Sequence, residues 1–283
     1  MVNSWTRFFW FLNGFELRVL GVWAEFFILG GLNGISMRLK SKIFLVLLLS
    51  ACVTTREKSD EWTSLFNGND LDGWIVKIYH HEPGVNFGNT FRPEDGIVKV
   101  RYDQYGDFND QFAHLYYEKP FSHFHLKLEY RFTGELQKGA PGYTILNSGV
   151  MFHSQDPQTM PKEQYWPISV EMQFLAGLDD GKPRPTGNMC SPGTEIVYEG
   201  RMYAGHCLNS SSKTYHRDEW VKAELIVLGD SLITHVINGD TVLQYSMPTM
   251  GGGVVQGYDT ALWHPGMPLK SGFIALQSEG QPI

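Results

Sequence analysis

Phe124-His125-Leu126-Lys127-Leu128-Glu129-Tyr130-Arg131-Phe132 alternates apolar and polar residues without a break. A period of two sends the apolar set to one face of an extended chain, so the stretch reads as a strand with one buried face. The pattern recurs downstream, where Val221, Ala223, Leu225 and Val227 interleave with Lys222, Glu224 and Ile226. Gly229-Asp230 leads into an apolar run at 232–237. Asn238-Gly239 is the strongest hairpin signal in the chain, with 241–245 as the returning strand. Further strands are expected at 96–100, 112–117, 147–153, 168–174, 194–198 and 271–278. No stretch after Cys52 carries a sustained helical stripe. Many strands, no helical crossovers and 30 glycines indicate an all-β fold, an antiparallel β-sandwich of jelly-roll type.

The N-terminal region has a different logic. Met37-Arg38-Leu39-Lys40-Ser41-Lys42 is basic, Ile43 to Leu49 is apolar, and Leu49-Ser50-Ala51 supplies small residues before Cys52. A basic start, a short apolar core and a cut site make a secretory signal, too short to span a bilayer. A cysteine after Leu-Ser-Ala resembles the bacterial lipoprotein signal, which implies acylation of Cys52 and a lipid-anchored envelope protein, periplasmic or outer-membrane. Residues 37–51 are then the signal peptide, and the polar 52–61 carry the lipidated cysteine and a tether. The aromatic-rich residues 1–36 read as a non-native upstream extension before Met37. About 230 residues remain after processing, a normal size for one large all-β domain over 62–283.

Cys190 and Cys207 are left. In an oxidising envelope they form one disulfide most simply, closing a loop that contains Pro192, Gly193, Gly200 and Gly205. Two free thiols are the alternative. Metal ligation by the pair is the weaker one, since neither cysteine belongs to a C-x-x-C pair. The net charge of −7, with no basic run after Cys52, argues against nucleic acid as a partner. No phosphate-cradling glycine loop leads into a helix, and no Gly-x-Ser-x-Gly elbow occurs.

Polar strand faces are where a sandwich meets its ligand. Ser169, Glu171 and Gln173 share one face; so do Glu129 and Arg131, and Gln277 and Glu279. Asn147, Gly149, Met151 and His153 form another set, in which Gly149 allows a ligand close to the backbone. Four such faces suggest one lined groove. Trp166 and Trp263 with His264 lie in Gly/Pro-rich loops, where rings are either covered or used for stacking on sugars.

Trp62-Thr63-Ser64-Leu65-Phe66-Asn67-Gly68-Asn69-Asp70-Leu71-Asp72-Gly73-Trp74 resembles the opening of the 3-keto-disaccharide hydrolase domain family. Leu128–Phe132, Asn147–Phe152, Val170–Phe174, Trp220-Val221, Ile237–Gly239 and Gly272–Gln277 extend the resemblance in order along the chain. The opening motif is fairly specific; the others persuade as a series. Two departures stand out. Glu279 occupies a position where the family often has histidine, and the chain stops at Ile283 where the family usually adds a last strand.

The resemblance implies a concanavalin-like jelly roll, related in shape to lectins and glucanases. It also implies cleavage of glycosides already oxidised to a ketone at C3. A 3-keto group acidifies the C2 proton, so a base removes it, the C1 substituent leaves by elimination, and water adds back. Such a site needs a base, an acid and a donor for the enolate oxygen, not the paired attack on an unactivated acetal used by ordinary glycosidases. On this reading Glu171 is the leading acid/base group, His153 a second proton-transfer group, and Arg131 or Gln173 the oxyanion holder. Glu129, Asn147, Gln277 and Glu279 bind hydroxyls or tune those groups, and Trp166, Trp263 and His264 contact the sugar. The substrate partner is an oligosaccharide or glycoside, with the membrane reached only through the lipid. No metal-ligand spacing such as H-E-x-x-H occurs, so no cofactor is assigned, though a divalent metal is compatible. The competing reading from another class is a noncatalytic carbohydrate-binding envelope lipoprotein on the same scaffold.

Overall fold

The computed structural model describes residues 17–23 and 62–283. The expected signal peptide, the lipidated Cys52 and the tether lie outside the described residues. In chain order the strands are β1 (Leu17–Trp23), β2 (Trp74–Ile78), β3 (Phe91–Glu94), β4 (Ile97–Val100), β5 (Ala113–Tyr117), β6 (His123–Tyr130), β7 (Asn147–Ser154) and β8 (Val170–Leu175). They continue with β9 (Asn188–Cys190), β10 (Thr194–Tyr198), β11 (Arg201–Met202), β12 (Cys207–Leu208), β13 (Val221–Leu228), β14 (Leu232–Ile237), β15 (Asp240–Met250) and β16 (Phe273–Ser278). Among the described residues the only helical segments are single 3-10 turns.

Two seven-stranded antiparallel sheets form the jelly-roll sandwich. The first runs β1-β6-β13-β14-β15-β10-β11, and the second β12-β9-β8-β7-β16-β5-β2. The short β3–β4 hairpin stands apart and contributes Phe91, Val98 and Val100 to the core. The chain enters the second sheet at β2 and β5, crosses to β6, returns for β7 to β9, crosses for β10 and β11, returns for β12, crosses for β13 to β15, and comes back with β16. Leu17–Trp23, inside the stretch read as an upstream extension, is an edge strand paired with β6.

The alternation in β6 works as its sequence dictates: Phe124, Leu126, Leu128 and Tyr130 are buried between the sheets. Tyr130 stacks on Phe174 of the facing sheet with ring centroids 4.1 Å apart, joining the two layers. Its hydroxyl shares a hydrogen bond with Thr186, so its polar atom is partnered inside the core. Val170 and Met172 of β8 point into the same core, which leaves Glu171 and Gln173 on the opposite face of the second sheet.

Register decides what meets on that opposite face, because directly paired residues of antiparallel strands share a side. One row across the second sheet reads Ile75, Tyr116, Ala275, Met151, Glu171, Cys190 and Cys207. A neighbouring row contains Lys77, His114 and Gln277, and Leu276 opposite Val150 sets Gln277 beside Gly149 and Gln173. Residues far apart in sequence are thereby brought side by side.

Candidate active site

A trough of about 410 Å³ lies on this face. Its floor is Asn147 from β7, Glu171 and Gln173 from β8, and Gln277 and Glu279 from the end of β16. Tyr143 and Trp166 wall it where Glu279 lies; Pro192, Val254, His206 and the Cys190–Cys207 disulfide wall it beside Glu171. Hydrogen bonds between the Gly193 and Gly251–Gly253 backbones tie the loops that carry Pro192 and Val254.

Glu279 is the best-held group. Trp166 Nε1 donates to its Oε1 at 2.8 Å, Gln277 Nε2 to the same oxygen at 3.1 Å, and Asn147 Nδ2 to its Oε2 at 2.9 Å. Three donors favour the carboxylate, yet burial outweighs them and pushes its pKa up to about 7. Desolvation wins because Glu279 is only 3% exposed.

Glu171 differs. Its Oε1 is buried without a hydrogen-bond partner. Burial, reinforced by the nearby charge of Glu279, holds its carboxyl well above the usual carboxylate range. Two buried carboxyls in one trough cannot both ionise cheaply. Gly149 makes room for the Glu171 carboxyl. A Cβ there would sit 2.5 Å from Glu171 Oε1, 2.9 Å from its Cγ and 3.0 Å from the Met172 carbonyl oxygen. The space left by the missing side chain is thus filled by the Glu171 carboxyl, not by a ligand reaching the backbone as the sequence suggested.

The remaining floor groups are amides. Asn188 Nδ2 donates to Gln173 Oε1 at 3.2 Å, which orients the Gln173 amide. Asn147 Oδ1 and Gln277 Oε1 are buried with no partner. Unsatisfied buried acceptors of this kind are costly unless something with hydroxyls arrives to meet them.

Several sequence candidates lie elsewhere. His153 has the parity of the trough face, but a bulge opposite β16 and a φ of 46° turn it away. Its Nε2 instead pairs with the Gly229 carbonyl oxygen at 2.9 Å, in the β13–β14 turn of the other sheet. Gly272 packs so closely on the His153 backbone that no Cβ fits there. Glu129 and Arg131 belong to β6 and its extension in the first sheet, far from the floor strands in the topology. Glu129 is 3.5 Å from Lys222, and the Arg131 guanidinium lies over the Trp220 ring at 5.0 Å. Trp263 packs against Tyr258 at 4.8 Å over a satellite cluster of Ile168, Met250, Val255 and Leu269. His264 is exposed, its backbone N–H directed at Met250 Sδ. Neither lines the trough.

The disulfide between Cys190 and Cys207 is present, spanning 17 residues with the Cα atoms 4.1 Å apart. Tyr143, Pro192, His206 and Val254 were not anticipated as lining residues. Only the two cysteines carried a signal, since cross-strand pairing places Cys190 directly beside Glu171. Among the described residues one group brings three metal-ligating side chains together, Cys190, His206 and Cys207 within 4.8 Å, and its two sulfurs are joined in that disulfide.

Residues 61–283 match the 3-keto-alpha-glucoside-1,2-lyase-like domain. The chain belongs to that family. No curated protein matches it. Among solved structures it resembles two candidate glycosyl hydrolases from Parabacteroides distasonis, each at 18% identity. One has a TM-score of 0.47, covering 81% of this chain and 93% of that one; the other has 0.42, covering 69% and 85%. A carbohydrate-binding module, CBM66, from Bacillus subtilis is similar at 10% identity and a TM-score of 0.40, covering 74% of this chain and 89% of the module. Likeness at these scores carries no information about function. The family membership itself makes the domain 3-keto-glycoside lyase-like.

Proposed function

We propose that the trough cleaves glycosides oxidised to a ketone at C3, with Glu279 as base and Glu171 as acid. The observation that carries this is the pair of buried carboxyls in one trough, Glu279 pushed up to about 7 by burial and Glu171 held well above the usual carboxylate range by burial and the Glu279 charge. Ionised Glu279 takes the C2 proton, and the C2–H electrons pass into the enolate toward the C3 oxygen. The amide donors of Gln173 and Gln277 hold that oxygen as charge builds. As the C3 ketone re-forms, the C1–C2 double bond closes and the C1–O bond breaks. The departing oxygen takes the proton of Glu171. Release at this stage is elimination; addition of water across C1–C2, returning a proton from Glu279 to C2 and one from water to Glu171, gives net hydrolysis.

This assignment replaces His153 with Glu279 as the second proton-transfer group, at the position where the family often has histidine. It keeps Glu171 as the leading proton-transfer group. The same reading has the protein anchored in the bacterial envelope by lipid on Cys52. Purified protein supplied with 3-keto disaccharides or 3-keto glycosides should cleave them and leave the unoxidised sugars intact. Glu171→Gln should abolish turnover while leaving substrate binding measurable. Full activity in that variant overturns the assignment, and sugar binding with no turnover in the parent protein would make it a binding module instead.

A further inference from the structure

The floor and the mouth of the trough differ in chemistry. Every floor side chain is an amide or a carboxyl, and three of its acceptors are unpartnered, a surface suited to one hydroxyl-bearing ring. The mouth is the reverse. Tyr143 is 58% exposed and Val254 43% exposed, and both line the trough. Pro192 and the Cys190–Cys207 disulfide continue this weakly polar wall. Of the wall residues, only Tyr143, Trp166 and His206 carry side-chain hydrogen-bonding groups, and the Trp166 Nε1–H is already committed to Glu279.

An aromatic ring and a branched aliphatic chain standing in water at a cavity mouth cost hydration free energy that an apolar ligand recovers. Tyr143 adds a flat face for ring stacking. A second sugar would bring several hydroxyls to this wall and find few partners for them, leaving polar groups desolvated and unpaired.

We propose that the mouth is a leaving-group subsite for an aromatic or otherwise apolar aglycone, so that the preferred substrates are 3-keto glycosides of small aromatic alcohols, ahead of 3-keto disaccharides. This rests on the reading of the trough as a 3-keto-glycoside site. The bond broken is still C1–O, and the aromatic alcohol leaves with the proton of Glu171.

The test compares kcat/KM on the 3-keto derivatives of a phenyl glucoside and of a glucose disaccharide with the same anomeric configuration. Measurements are made in the parent protein, in Tyr143→Ser and in Val254→Ser. Comparing ratios between variants cancels the intrinsic difference between the two leaving groups. Each substitution should lower the phenyl-to-disaccharide ratio about 10-fold, mostly through KM, with both variants retaining the parent Tm because the residues are exposed. Equal losses on the two substrates, or an unchanged ratio, overturn the aglycone subsite and leave the catalytic reading standing. Failure of the parent protein to cleave either compound overturns both.

Discussion

Replacing Glu279 with glutamine should make the protein more stable, and more so as pH rises. In the folded state burial raises the Glu279 pKa to about 7 from an ordinary 4.5. The folded form therefore binds the proton more tightly than the unfolded chain. Below about pH 4 both states are protonated and the group contributes nothing. As pH rises above 4.5 the unfolded chain ionises first, so the native state loses ground until about pH 7, beyond which the deficit is constant. The difference of about 2.5 pKa units, at roughly 1.4 kcal/mol each, makes that deficit roughly 3–4 kcal/mol. The substitution should fit. Trp166 and Gln277 keep a carbonyl oxygen to donate to, and Asn147, whose Oδ1 is unpartnered, can turn its amide to accept from the new Nε2. Urea denaturation of both proteins at pH 4.5 and 8.5 measures the effect. The variant's advantage should grow by about 3 kcal/mol between those values, while its activity is lost. A stability difference independent of pH would refute the buried-carboxyl reasoning.

The parent protein's kcat/KM should rise with pH through about 7, as Glu279 loses its proton; a profile falling through 7 would reverse the two roles. Gly149→Ala forces a methyl against the Glu171 carboxyl and the Met172 carbonyl, and overpacking of this kind costs about 1–3 kcal/mol. Thermal melting should record that loss, and turnover should fall at least about 10-fold as the acid shifts. Replacing Cys190 and Cys207 with alanine together opens a 17-residue loop and should cost about 3 kcal/mol in denaturant titration. Arg131→Ala should leave kcat/KM within about 2-fold of the parent, since its side chain lies over Trp220 on the other sheet; a large loss would place the chemistry elsewhere.

Strands whose one face is solvated announced themselves. The region 194–198 read from sequence coincides with β10, and β6, β7, β13 and β14 lie within a residue or two of their expected limits. β2 did not, because Lys77 is 1% exposed within Trp74–Ile78, and a lysine buried on both-sided strand breaks the alternation that reveals half-buried ones. β9, β11 and β12 are too short for any period to show. For the site, parity along a strand correctly grouped Glu171 with Gln173 and Gln277 with Glu279. Parity failed at His153, where a bulge reverses the face, a local backbone event that side-chain identity does not encode. Nor could alternation say which sheet a polar face belongs to. That is why Glu129 and Arg131 joined the same list as groups on the opposite layer.

β16 enters its sheet between β7 and β5, and it delivers Gln277 and leads into Glu279. During vectorial synthesis both neighbours emerge long before it, so their inner edges wait unpaired until the final segment arrives. The keystone position makes the trough all-or-none: a nascent chain can carry Glu171 yet lack Glu279. Closing over such sequence separations is slow. Such a delay would keep the chain threadable on the proposed route to the envelope.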